Sequence, residues 1–241
     1  MSGVIPSGGK ARHERAFTLV ETLVVIAVIG ILASFLLPAL VKSKDRSIRT
    51  VDINNLRQIV TAMHLYGTDH NGELPWSNWL RGDATNRQGW LYTIDTSQTG
   101  PARFNPETGA FWKILENRKL YKCPRDDPGH GLFSQRGQQI SSYVLNGAVN
   151  GYQRIVFPTL GRSEFRADDI AFWETDENEP NYFNDGASRP DEGVSPRHAQ
   201  GAIMASFGGA VEYVKFDEWY REEQSTNRSR LWCYPGSPNG R

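Results

Sequence analysis

The chain lacks most of what would mark an enzyme or a nucleic-acid binder. Acidic and basic residues balance at 27 each, so no broad field of one sign points to nucleic acid as a partner. None of the five histidines stands in a metal pair such as H-E-x-x-H, and no G-x-S-x-G nucleophile word occurs. No catalytic signature and no cofactor motif is therefore legible, and His198, at a loop-to-strand border, reads as a structural hydrogen-bonding residue. Two cysteines, Cys123 and Cys233, are too few for a disulfide-dense scaffold. In an oxidising compartment they could form one bridge, with two separate thiols as the equal alternative.

Charge is also missing from one long stretch. From Phe17 to Val41 the chain is apolar with a single ionisable residue, Glu21. A helix of about 20 apolar residues crosses a bilayer, so this run can span one. A charge at mid-bilayer costs about 3 kcal/mol and usually has a functional reason. The simpler account of Glu21 is its place within a turn of the helix start, where the dipole and interfacial water reach it. A secretory signal peptide fits poorly, because its apolar region is about 7 to 15 residues long and ends in a small-x-small site. A plain anchor fits the flanking charges, with Arg12 and Arg15 before the run and Lys42, Lys44 and Arg46 after it.

Beyond Val41 the helical pattern continues. Ile48, Val51, Leu56, Ile59, Val60, Met63 and Tyr66 form one apolar stripe, with Asp45, Arg49, Asp52, Asn55 and Arg57 on the other side. The pattern predicts one helix from Phe17 to about Gly67, ended by the turn residues of Gly67 to Pro75. After it come a short helix over Gly109 to Asn117, strands at Ser142 to Leu145 and Ile170 to Glu174, and a hairpin over Gly201 to Phe216 turning on Gly208-Gly209. Asp217 to Glu223 predicts a further helical turn or two, and the tail from Cys233 reads as irregular.

The word Phe17-Thr18-Leu19-Val20-Glu21 lies at the border between a basic leader (Lys10, Arg12, Arg15) and the apolar run. It resembles the prepilin signal of type IV pilins and type II secretion pseudopilins. That resemblance implies cleavage between Ala16 and Phe17, methylation of Phe17, and pairing of Glu21 with the amine of a neighbouring subunit. Ala16 departs from the glycine that the family nearly always carries before the cut. Pro38 falls where such proteins often bend their first helix; equally, it marks the membrane exit. Looser likeness extends to N-N-L-R-Q-I at Asn54 to Ile59, N-G-E-L-P at Asn71 to Pro75, L-Y-K-C-P-R-D at Leu120 to Asp126, and S-Y-V-L-N at Ser142 to Asn146. His198 and Gly209 also match a His-x9-Asp-Gly motif of large pseudopilin-like proteins, with Gly208 in place of the aspartate.

The fold so implied is α+β: a long N-terminal helix, transmembrane then amphipathic, on a small antiparallel-sheet head. Its parts are a leader (1–16), a filament-core helix (17–41), an amphipathic continuation (42–67) and a head domain (68–241). The implied partners are a prepilin peptidase and methylase, copies of the chain and sister pseudopilins, and an inner-membrane assembly platform with an ATPase. The implied place is a single pass through the inner membrane with a periplasmic head, then a periplasmic or extracellular filament.

Two other features bear on function. Asp69, Asn71, Asp176, Asp185 and Asp191 lie in oxygen-rich loops and are weak calcium candidates; solvated acidic loops are the plainer reading. Trp76, Trp79 and Trp90 cluster in a loop-rich stretch, and buried they fill the core. Exposed, they would serve an anchored glycan- or protein-binding module that never polymerises, the rival reading of the whole chain.

Overall fold

The computed structural model describes residues 18–79, 88–152 and 159–241. Helix α1 runs Leu19–Asp69 without interruption through Pro38. The described residues up to Lys44 form one unit and those from Asp45 to Arg241 the other. In the first unit the large apolar side chains of α1 from Leu19 to Val41 are 49% to 76% exposed. That is a helix apolar on all sides with none of the described residues packed around it, as a membrane or a bundle of like helices would require.

In the second unit α1 is a half-buried helix. Leu56, Ile59, Val60, Ala62 and Met63 are buried in the main core. Two expectations about this stripe are corrected. Val51 is 47% exposed, whereas Asp52 and Asn55, placed by pattern on the polar side, are buried at 0% and 8%. Asp52 lies one turn before Leu56 and so shares its face, and buried polar partners make the charge tolerable there. The helix also passes Gly67, and the chain then reverses through Asn71 (φ 54°) and Gly72 (φ 87°), with the Gly72 N–H donating to the Gly67 carbonyl at 2.7 Å.

Five strands follow: β1 (Tyr143–Asn146), β2 (Ile170–Glu174), β3 (Ala187–Ser188), β4 (Gly201–Ser206) and β5 (Val211–Lys215). They form one sheet in the order β3-β1-β2-β4-β5. All pairings are antiparallel except β1 with β3, so the sheet is mixed rather than purely antiparallel. Strands β1, β2 and β4 are buried throughout. Alternation explains why: Tyr143, Leu145, Phe172, Ile203 and Ala205 join the core that includes α1, whereas Val144, Trp173, Ala202 and Met204 join a second cluster with Trp219. Trp219 belongs to α3 (Phe216–Glu223), and a four-residue helix, α2 (Trp112–Leu115), ends at Glu116 in a left-handed conformation (φ 45°). The predicted Gly109 to Asn117 helix is thus reduced to about one turn.

The β4–β5 hairpin forms where expected, but its loop is longer than a two-residue glycine turn. Phe207 to Ala210 make the connection, the Ser206 N–H donating to the Ala210 carbonyl at 2.8 Å. Phe207 is buried and stacks on Phe165 at 4.0 Å, which draws the tip inward, and only Gly209, at φ 99°, adopts the positive φ that favours glycine. His64 Nε2 on α1 donates to the Phe207 carbonyl at 2.9 Å.

Six of the seven tryptophans are buried, Trp76, Trp79 and Trp90 among them. Trp90 contacts Phe111, Tyr121 and Phe172, and its indole N–H donates to the Gly186 carbonyl at 2.8 Å. These rings fill the core and offer no sugar-binding platform. Trp90→Ala should cost about 3–5 kcal/mol of head stability, read by chemical denaturation of the detergent-solubilised full chain.

Candidate functional site

The assembly end of α1 is built from its first turn. The Glu21 carboxylate accepts hydrogen bonds from the Thr18 N–H at 2.8 Å and the Thr18 hydroxyl at 2.9 Å, and the Glu21 N–H donates back to Thr18 Oγ1 at 3.3 Å. Thr-x-x-Glu is a capping box, which satisfies donors that a helix start leaves open. The spacing was visible in the sequence and went unread there, because the same glutamate answered to the prepilin word. Ala16 and Phe17 lie outside the described residues.

The second constellation was not anticipated. Asp52 on α1, Cys123 in the loop after Leu120–Tyr121, Glu174 at the end of β2 and His198 just before β4 converge inside the head, each 1% exposed or less. His198 Nε2 lies 2.9 Å from Asp52 Oδ2, 3.4 Å from Glu174 Oε1 and 3.4 Å from Cys123 Sγ. The Tyr143 hydroxyl donates to Asp52 Oδ1, and the Ile203 N–H to Glu174 Oε2 at 2.8 Å. Burial opposes the His198 charge, but the hydrogen bonds and charges of Asp52 and Glu174 outweigh it and lift its pKa to about 9. Burial, reinforced by the Asp52 charge, pushes Glu174 upward; burial with the Glu174 and Asp52 charges does the same to the Cys123 thiol.

A second layer backs this one. Asp126 binds Arg136 Nη1 at 2.9 Å, accepts from the Ser142 hydroxyl at 2.7 Å, and lies 3.4 Å from Arg197. The Arg136 guanidinium also lies 3.8 Å from the Phe183 ring centre, and Arg197 reaches Glu177 at 3.4 Å. The blocks Leu120 to Asp126 and Ser142 to Asn146, noted in the sequence for their likeness to relatives, thus supply Cys123, Asp126, Ser142 and Tyr143 to one buried polar cluster. His198 stands just before β4, at the loop-to-strand border expected of it, with its Nε2 hydrogen-bonded to Asp52. Asp52 could have been found from the sequence only by noticing a charge at stripe spacing from Leu56, Ile59 and Met63.

Other expected sites come apart. Both cysteines are free and buried: Cys123 faces His198, while Cys233 lies 3.5 Å from the Asn146 amide, so the bridge does not form. The calcium candidates are not gathered together. Asp176 accepts from the Asn178 N–H at 3.0 Å, Asp185 from the Ala187 N–H at 2.9 Å, and Asp191 pairs with Arg189, while Asp69 and Asn71 lie at the exposed end of α1. Among the described residues, the metal-competent group of three or more donors is the Asp52, Cys123, Glu174 and His198 set instead.

Comparison with known proteins decides the family. Residues 11–37 match the prokaryotic N-terminal methylation motif. The chain is 32% identical over 109 residues to the type II secretion system core protein G of Klebsiella michiganensis, spanning 45% of this chain and 70% of that one. The chain belongs to the pilin and pseudopilin family. It is also 31% identical to the Vibrio cholerae type II secretion system core protein G over 44% of this chain and 65% of the relative. Likeness to the type IV wide pilus major component PilA4 of Thermus thermophilus is 40% over 60 residues, 25% of this chain and 46% of that one. No solved structure matches the chain. More than half of this pseudopilin-like chain therefore lies outside each of these alignments.

Removing one member of a buried ion pair strands its partner, so Asp52→Ala should destabilise the head by about 3–5 kcal/mol. Tyr143→Phe, which removes only a hydrogen bond to the carboxylate, should cost about 1.5–3 kcal/mol. Denaturant unfolding of the two variants side by side tests that order, and equal losses would refute it.

Proposed function

We propose that this chain is the precursor of a structural filament subunit, of a type II secretion pseudopilus or a type IV pilus-like fibre, that assembles through its N-terminal helix. The observation that carries the reading is a methylation motif over residues 11–37 on a helix whose first half exposes apolar side chains on all sides. A head-to-tail contact repeated with a screw rotation builds an open filament, and helices that leave lipid for like helices supply that contact.

In this reading a prepilin peptidase cuts between Ala16 and Phe17 and the new amino group of Phe17 is methylated. The Glu21 carboxylate, held within the chain by Thr18, then accepts the amine of a neighbouring subunit as an added or exchanged partner. In a low-dielectric bundle that pair sets register, while packing of the apolar rods supplies most of the attraction. The bend expected at Pro38 belongs to the same proposal. The working partners are copies of this chain, sister pseudopilins, and an inner-membrane platform driven by an ATPase. The head faces the periplasm before assembly.

The mass of the mature N-terminus from native membranes tests the class: a chain beginning at methylated Phe17 supports it, and retention of the basic leader overturns it. Glu21→Ala should reduce incorporation into fibres at least about tenfold, scored by shearing and immunoblot, with the head still folded. Ala16→Gly, which restores the residue usual in relatives, should speed leader removal in a pulse-chase assay.

A further inference from the structure

Asp52, Cys123, Glu174 and His198 each offer a donor atom within 4.8 Å of the other three. His198 Nε2 is the hub, yet one nitrogen carries one proton, and three acceptors surround it at 2.9, 3.4 and 3.4 Å. Glu174 Oε1, fully buried and aimed into the cluster, makes no hydrogen bond of good geometry: His198 Nε2 at 3.4 Å and Arg197 Nη1 at 3.8 Å are only loosely paired with it. An arrangement that leaves such an oxygen unsatisfied is costly unless something else binds it. The three separations from His198 Nε2, 2.9 to 3.4 Å, lie at or just under the edges of a coordination tetrahedron, about 3.3–3.8 Å for bonds of about 2.0–2.3 Å, and the remaining donor pairs lie within 4.8 Å.

We propose that these four side chains form a structural site for one divalent transition-metal ion, with zinc the best match. The donor set is one sulfur, one imidazole nitrogen and two carboxylate oxygens. Calcium and magnesium call for about six or more oxygens, whereas zinc takes sulfur, nitrogen and oxygen in fours. The ion replaces the Nε2 proton and the Cys123 thiol proton, both of which leave to solvent.

Neighbouring groups already orient three of the four ligands. The Tyr143 hydroxyl holds the other Asp52 oxygen, the Ile203 N–H holds Glu174 Oε2, and the Arg125 N–H reaches Cys123 Sγ at 3.4 Å. Outer partners of this kind fix the direction of first ligands at metal centres. With four protein donors in a buried cluster, the site is closed and structural. It ties the head-packed part of α1 to β2 and to the entry of β4, and its existence does not depend on filament assembly.

The test uses the full chain purified in detergent. Elemental analysis after desalting should find about one zinc ion per chain. A chelator should remove it and lower the melting temperature, and zinc should restore both. Loading the stripped protein with cobalt(II) should give a thiolate-to-cobalt charge-transfer absorption, lost in Cys123→Ser and kept in Cys233→Ser. Folded wild-type protein that retains less than about a tenth of an equivalent after cobalt or zinc saturation overturns the proposal. So does a charge-transfer band that survives Cys123→Ser. If Cys123→Ser fails to fold, wild-type stoichiometry and the presence or absence of the band decide the matter.

Discussion

A carboxylate on a helix, buried to 0% exposure, sets the terms for the head. Asp52 shares the inward face of α1 with Leu56, Ile59 and Met63, and it can be there only because His198 and Tyr143 meet it. Apolar residues alone would let a helix slide or rotate against the sheet at modest cost. A charge that must find His198 removes that freedom, because any other register leaves it buried and unpaired. Asn55, one turn on, adds a second polar fix by donating to the Lys122 carbonyl at 3.1 Å. Outside the core, Asp45 accepts from both Arg49 and Arg125, which joins the helix to the loop carrying Cys123.

The two parts of α1 answer to different surroundings. From Leu19 to Val41 almost every side chain is apolar and exposed, so stability there depends on lipid or on neighbouring helices. Past Asp45 the same helix becomes an ordinary amphipathic element whose apolar stripe completes a domain core. Thr18 and Glu21 close its N-terminus internally, so the start of the helix does not need a partner to be formed. This division suits the proposed passage of the helix from a membrane into a fibre.

In the head, side chains that would mark a binding surface if exposed have been used to build the interior. The buried tryptophans fall in three clusters, Trp90 and Trp232 in the core that includes α1, Trp173 and Trp219 in the second, and Trp76 and Trp79 in a third with Ala187, and the acidic loops are engaged by their own backbone N–H groups or by arginine. The polar chemistry of the domain is instead buried, in a chain of carboxylates, arginines, histidine and thiol drawn from α1, β1, β2 and the loops before β1 and β4. Such a network rigidifies a fold when its members are satisfied, and that places weight on every residue in it.

Local pattern was enough to read the apolar run, the prepilin word, the continuing helix, the Ile170 to Glu174 strand and the β4–β5 hairpin, because hydrophobic period and turn chemistry act over a few residues. It was not enough for contacts between distant segments. Asp52 and His198 are 146 residues apart, and nothing local distinguishes a charge that faces solvent from one that meets a partner. The same blindness made the two cysteines look like a possible pair and the loop aspartates like possible ligands. Sequence alone settled where the membrane-competent helix lies and which family signal it carries, since both are written in consecutive residues. Which polar groups meet, which thiols stay apart and which aromatic rings are hidden was left to the packing of the sheet on α1, because burial and pairing arise only when remote segments close on one another.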